Sequence, residues 1–207
     1  MKKNDYQQEK DRIVQDFLPD IVFDGWCWRA LEKNAAAGGT GTDLLYGLFP
    51  RKMDDVLDHY ADMIDRAMMD QLAATNIAPL RIRDRIKTAL MVRFAIIEQD
   101  RDAELLAGRY WSVPSRAGHA AQIIWRTADR IWLWAGDESH DYNFYTKRGL
   151  LSGVVTASWL AWADGLAADP EQNTRDDLES FIDRRIENVM KLGRFVGRIK
   201  TFAVRRK

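Results

Sequence analysis

Cysteine is nearly absent from this 207-residue sequence. The one copy, Cys27, excludes an internal disulfide framework and any Cys-rich zinc site. It lies between Trp26 and Trp28 with no histidine near it in sequence, so a small core residue is expected there rather than a nucleophile. Histidine is scarce as well: only His59, His119 and His140 occur. Asp137-x-x-His140 has a metal-helix spacing but lacks the Glu-rich partners of a di-iron bundle, and it reads as a solvated loop. His59 reads as an exposed or half-buried helix residue. Residues 38–42 (GGTGT) lack the Gly-Lys-Ser/Thr ending of a phosphate-cradling loop and read as a turn. No catalytic residue, metal or cofactor is therefore expected, and nothing argues for an enzyme.

Long hydrophobic runs are missing too. The longest charge-free apolar stretch, residues 149–163, is shorter than the roughly 20 residues that a bilayer-spanning helix needs. A buried helix is the expectation. The opening MKKNDYQQEKDR is polar and carries acids, unlike a signal peptide or a mitochondrial presequence. A cytoplasmic protein is expected.

What is present is an ordinary globular balance, 46% hydrophobic and 30% charged, with eight tryptophans. Thirty-one bases meet 31 acids, but unevenly. Residues 191–207 hold seven bases (Lys191, Arg194, Arg198, Lys200, Arg205, Arg206 and Lys207) and no acid. The first 190 residues are left with 24 bases against 31 acids. An acidic body thus ends in a basic tail.

Apolar residues recur almost throughout at helical spacing, and no stretch alternates as a strand does, so the chain is expected to be all-α. Ile13, Val14, Phe17, Leu18 and Ile21 line a first helix that is expected to continue through Pro19. Helices are also expected over residues 26–37, over 43–49 with Thr40 or Thr42 as the cap, and over 52–75. Further helices are expected after Pro79, up to Trp111, over 114–135, over 144–165 and from Thr174 onward. The helix over 144–165 is apolar nearly all round and should be central. Three short helices with a Gly-rich break before the third outline a helix-turn-helix module. The organisation expected is a degenerate module over residues 1–50, a helical ligand-binding domain over 51–190 and a basic amphipathic segment over 191–207.

DNA reading is disfavoured. Phosphate neutralisation dominates such binding, yet residues 1–50 carry six bases against eight acids. The third helix, DLLYGLF, has no Arg, Lys, Asn or Gln to meet base edges. No nucleic-acid partner is expected.

Three other regions suggest binding. The wide apolar faces of the central helices have two readings, plain core and the lining for an elongated apolar ligand. The candidate lining residues are Leu90, Phe94, Ile97, Ile124, Trp125, Ala128, Ile131, Trp132, Leu151, Val154, Val155 and Trp159. The small residues Gly153, Ala157, Ala161 and Ala163 are interleaved with them. Residues 141–148 (DYNFYTKR) crowd three aromatics beside Asp, Lys and Arg, a mixture typical of interface hot spots, although a helix start that caps and packs would look similar. In the tail, Leu192, Phe195, Val196, Ile199 and Phe202 fall at helical spacing, with Arg194 and Arg198 on other faces. Such a segment has three readings, a solvated terminal helix, a basic tail for nucleic acid and an anchor on an anionic membrane surface, and the regular large apolar residues favour the last.

Several stretches together resemble the ninth coenzyme Q biosynthesis protein family. They are WRTADRIW at 125–132, Gly136-Asp137, DYNFYTKR at 141–148 and FIDRRIENVM at 181–190, with Gly25-Trp26 and Leu48-Phe49-Pro50 earlier. The resemblance implies a tetracycline-repressor-like helical bundle, commonly dimeric, that has lost DNA reading. It implies an accessory protein that binds isoprenoid lipid and attaches to membranes through a C-terminal amphipathic helix. Such a protein presents substrate to the di-iron hydroxylase acting on demethoxyubiquinone. The family's partner-binding patch falls here on Asp141, Asn143, Phe144, Tyr145, Lys147 and Arg148, and the membrane contact on Leu192, Arg194, Phe195, Val196, Arg198, Ile199 and Phe202. A bacterial member, peripheral on the inner membrane, would need no presequence. Unlike mitochondrial members, which have a longer extension after a linker, the basic segment here is expected to continue directly from the last helix. The competing reading is a ligand-gated transcriptional repressor of the same fold, which the charge of the first fifty residues disfavours.

Overall fold

A computed structural model describes residues 3–140, 142–165 and 174–204, with side chains for 5–140, 142–165 and 176–191. Asp141 lies outside the described residues, as do the side chains of Leu192, Arg194, Phe195, Val196, Arg198, Ile199 and Phe202. The described chain is helical, without a strand among the described residues: α1 (Lys3–Phe17), α2 (Ile21–Asp24), α3 (Trp28–Ala37), α4 (Thr42–Leu48), α5 (Met53–Leu72), α6 (Ile82–Ile97), α7 (Arg101–Trp111), α8 (Ala117–Trp134), α9 (Tyr142–Asp164) and α10 (Thr174–Val204). The all-α expectation holds. The chain divides into two compact units, residues 1–74 with 92–123, and residues 75–91 with 124–207.

In the first unit, α1 packs on α3 and α5. Ile13, Val14, Phe17 and Ile21 are all buried, as their spacing requires. The helix does not continue through Pro19, however. Pro19 lacks an N–H, and the chain passes through a 3-10 turn at Leu18–Asp20 before restarting as α2. Trp26 stacks 5.0 Å from Tyr60 and donates its indole N–H to the carbonyl of Ala103 at 2.9 Å. Cys27, by contrast, is exposed, contrary to the core position expected for it. It occupies the extended N-cap position of α3 (φ −117°, ψ 124°), while its neighbour Trp26 takes the inward place.

The Gly-rich break between α3 and α4 is a Schellman ending. Gly39 adopts φ +82°, its N–H bonds Ala36 O, and the Thr40 N–H reaches back to Ala35 O. Neither threonine caps α4: its N-cap is Gly41, and Thr42 begins the helix. Thr40 is buried instead and accepts from Arg12 Nη2 at 2.6 Å. His59 is likewise no half-exposed helix residue. It is buried and donates from Nε2 to Asp11 Oδ1 at 2.7 Å. The same carboxylate accepts from Arg66 at 2.5 and 3.0 Å. Burial pushes the His59 imidazole below its ordinary pKa, the attraction of Asp11 notwithstanding.

In the second unit α9 packs on α10. α10 buries Leu178, Ile182 and Ile186 at four-residue spacing. Lys87 reinforces this by reaching Glu179 and Asp183, both at 2.7 Å. The helix runs on to Val204, so the basic segment continues from it without a break, as expected. α9 is not buried all round. It hides Arg148, Leu151, Val154, Val155, Ser158 and Trp162, and leaves Leu160 56% exposed.

Candidate functional site

The end of α8 sets the geometry of this region. Gly136 adopts φ +87°; its N–H bonds Leu133 O and the Asp137 N–H bonds Trp132 O, a second Schellman ending. Arg85 completes it by donating to Ala135 O at 2.7 Å. A Cβ at Gly136 would stand 3.2 Å from that guanidinium, so position 136 needs glycine for its φ and for this approach. The reversal sets Asp137 against the first turns of α9. Its side chain is only 3% exposed.

Asp137 is the hub of an ionic cluster. Lys147 Nζ donates to Oδ1 at 2.6 Å, Ser139 Oγ to the same oxygen at 2.8 Å and Arg148 Nη1 to Oδ2 at 3.0 Å. Arg148 is 1% exposed, so all its polar atoms must find protein partners. Its Nε donates to Asp129 Oδ1 at 2.5 Å and its Nη1 also reaches Phe144 O at 3.3 Å. Its guanidinium covers the Phe144 ring at 3.4 Å. Burial works against the charge on Asp137, but the hydrogen bonds from Lys147, Ser139 and Arg148 outweigh it and hold the carboxyl down at about 2. Trp132 adds a further tie through its indole N–H to Lys147 O at 3.0 Å, beneath the Lys147 ammonium.

The six residues of the expected partner patch therefore divide. Arg148 is internal and braces the block. Lys147 is partly exposed and Phe144 half-buried, while Asn143 and Tyr145 face solvent. Tyr142, outside the expected patch, is 64% exposed, as is Tyr145. The bracing acids Asp129 and Asp137 lie outside it too. Their signal in the sequence is the Trp125–Trp132 and Gly136-Asp137 stretches of the resemblance, but spacing alone does not say that two loop and helix acids meet one arginine.

Of the candidate ligand-lining residues, Leu90, Phe94, Ile97, Ala128, Ile131, Leu151, Val154 and Val155 are buried, and Ile124, Trp125, Trp132 and Trp159 are half-buried. Phe94 and Ile97 belong to the first unit and the others to the second. A pocket of about 320 Å³ opens between α9 and α10, lined by Gly149, Leu150, Gly153, Val154, Ala157, Arg185, Asn188 and Val189. Val154 alone among the candidates lines it. On α4, the exposed residues include Thr42, Asp43 and Tyr46, and the Tyr46 hydroxyl donates to Glu32 at 2.7 Å. No cation stands among the exposed residues of that helix. Among the described residues no cluster of three metal-ligating side chains occurs, and no helix is long and apolar enough to cross a membrane.

Comparison with known proteins finds one recurring similarity. Residues 117–193 match the COQ9 family model. The rat ubiquinone biosynthesis protein COQ9, mitochondrial, is 24% identical across 97% of this chain and 65% of its own length. The human protein of the same name is 21% identical, covering 97% of this chain and 64% of its own length. A Dictyostelium discoideum relative, a probable ubiquinone biosynthesis protein, is 24% identical over 90% of this chain and 61% of its own length. The chain spans just under two thirds of the length of these curated relatives. The family resemblance read from its motifs is shown by these matches.

Proposed function

We propose, from this resemblance to the COQ9 family, that the chain acts in ubiquinone biosynthesis as a non-catalytic lipid-binding accessory protein. It holds an isoprenoid quinone intermediate and presents it, at an anionic membrane surface, to the di-iron hydroxylase acting on demethoxyubiquinone. The observation that carries the docking part is the braced start of α9. Tyr142, Asn143 and Tyr145 stand exposed on a base whose charges are already satisfied by Asp129, Asp137, Lys147 and Arg148. Such a surface is preorganised, because a partner that binds it need not order flexible side chains beneath it.

The lipid part rests on the relatives' named pathway and on the apolar interior of the second unit. An isoprenoid tail left in water costs about 0.8 kcal/mol for each CH₂ group, so a carrier must cover it. The membrane part rests on the seven bases and regular apolar residues of 191–207. The homodimer implied by the resemblance belongs to the same proposal. Deleting the gene is expected to lower ubiquinone and raise demethoxyubiquinone in cell extracts, with rescue by the wild-type chain and not by Tyr145→Ala. Unchanged quinone ratios in the deletion strain refute the proposal.

A further inference from the structure

We infer that the basic tail is not the chain's only seat on the membrane: the end of the second unit from which it departs, built by the start of α6 and the end of α8, rests on the same anionic bilayer. This deepens the membrane part of the function proposed above, which relies on residues 191–207 alone.

Ion pairs fix the arrangement. Arg83 reaches Asp183 at 3.9 Å, and Lys87, a turn further on, reaches both Asp183 and Glu179 at 2.7 Å. α6 and α10 therefore run antiparallel, and the first residues of α6 lie on the side toward which α10 leaves. From Asp183 to Lys191 that helix advances about 12 Å. The last turn of α8 lies at the same end, because Arg85 of α6 donates to Ala135 O at 2.7 Å.

Apolar side chains left open gather there. Ile82 is 43% exposed, Leu133 58% and Met190 43%, and Ala78 and Pro79 before α6 are exposed too. Singly, such residues are ordinary on a protein surface. Several at the one end that emits a basic amphipathic segment form a patch that calls for a covering surface.

Charge identifies that surface. Arg81, between Leu80 and Ile82, is exposed and pairs with no acid among the described residues. The acids nearby already face cations: Asp84 lies 3.4 Å from Arg83, Asp183 2.7 Å from Lys87 and Glu187 2.9 Å from Lys191. Glu138, exposed in the loop after α8, is the exception. An anionic bilayer offers phosphate to the unopposed arginine and hydrocarbon to Ile82 and Leu133 at once. Nucleic acid would meet the arginine but leave the aliphatic side chains in water.

The test uses the full chain and vesicles of equal parts phosphatidylglycerol and phosphatidylcholine. With Cys27→Ser as background, an environment-sensitive nitrobenzoxadiazole label is placed through Ile82→Cys, Leu133→Cys, Leu160→Cys or Phe202→Cys. Labels at 82, 133 and 202 are expected to brighten and shift to the blue on adding vesicles, and the label at 160, toward the other end of α9, to stay as in buffer. Without any label, Arg81→Glu is expected to weaken vesicle flotation at least fivefold, because one basic residue at such a surface is worth about that factor. Its unfolding temperature should match wild type. If the 202 label responds while either 82 or 133 does not, or if Arg81→Glu floats as wild type, the inference is overturned and the tail reading stands. If the 202 label is silent as well, both fall. A response at 82 to purified hydroxylase without vesicles, or an equal response at 160, also overturns the inference.

Discussion

Replacing Asp137 by Asn removes the charge around which the α8–α9 junction is built and leaves its shape nearly intact. The size of the effect comes from the carboxyl itself. Its pKa falls from an ordinary 3.8 to about 2 in the folded chain. Each unit of such a shift is worth roughly 1.4 kcal/mol, so the ionised carboxylate contributes about 2 kcal/mol. A depressed acid contributes its stability above its unfolded pKa and loses it as pH falls through the folded value. The wild type should therefore be about 2 kcal/mol more stable than Asp137→Asn from pH 7 down to pH 5. The difference should close between pH 4 and pH 2. Urea unfolding followed by tryptophan fluorescence measures this, because Trp132 is tied to Lys147 within the cluster. A difference that stays constant from pH 7 to pH 2.5 would refute the reasoning, since it would mean that the loss comes from packing and not from charge.

Other consequences are measurable. Arg148→Met leaves Asp129 and Asp137 without their shared cation and should cost about 3 kcal/mol, the scale for breaking a buried pair; an equally stable variant contradicts the bracing role. His59 should titrate below 6.5 by NMR, and folding stability should drop as pH falls through that value, because the buried imidazole resists the proton that the unfolded chain accepts. A titration midpoint above 6.5 would reverse this assignment. Gly153→Ala should raise stability by about 1 kcal/mol, since an exposed helix interior gains a better helix former without a clash. Gly136→Ala should lower it by more than about 1 kcal/mol, given the positive φ and the neighbouring Arg85, as thermal unfolding will show.

Periodicity made the helices legible. Ile13, Phe17 and Ile21, or Leu178, Ile182 and Ile186, are buried as their spacing demands. The exceptions have local causes: Pro19 breaks the first helix, and the Schellman geometry at Gly39 takes Thr40 inward rather than to the cap of α4. Cys27 departs from the pattern because apolar neighbours do not determine which side of an extended N-cap residue faces the interior. His59 and Asp11 are 48 positions apart, and no local pattern announces that they meet. At the candidate site, residues 141–148 are visible as an unusual composition, but their division is not. Arg148 turns inward because Asp129 and Asp137 await it there. The exposed side of α9 is hidden for a related reason: a helix that is apolar nearly all round reads as fully buried, and only the packing shows which side is left open.

Whether this chain carries an isoprenoid quinone intermediate is the question on which its proposed role turns. Native mass spectrometry of the full chain, purified without detergent from quinone-producing cells, tests it most directly. The expected result is a bound mass that organic extraction identifies as an isoprenoid quinone or its precursor. A chain that flies only at its bare mass, with no extractable lipid, would contradict the carrier role.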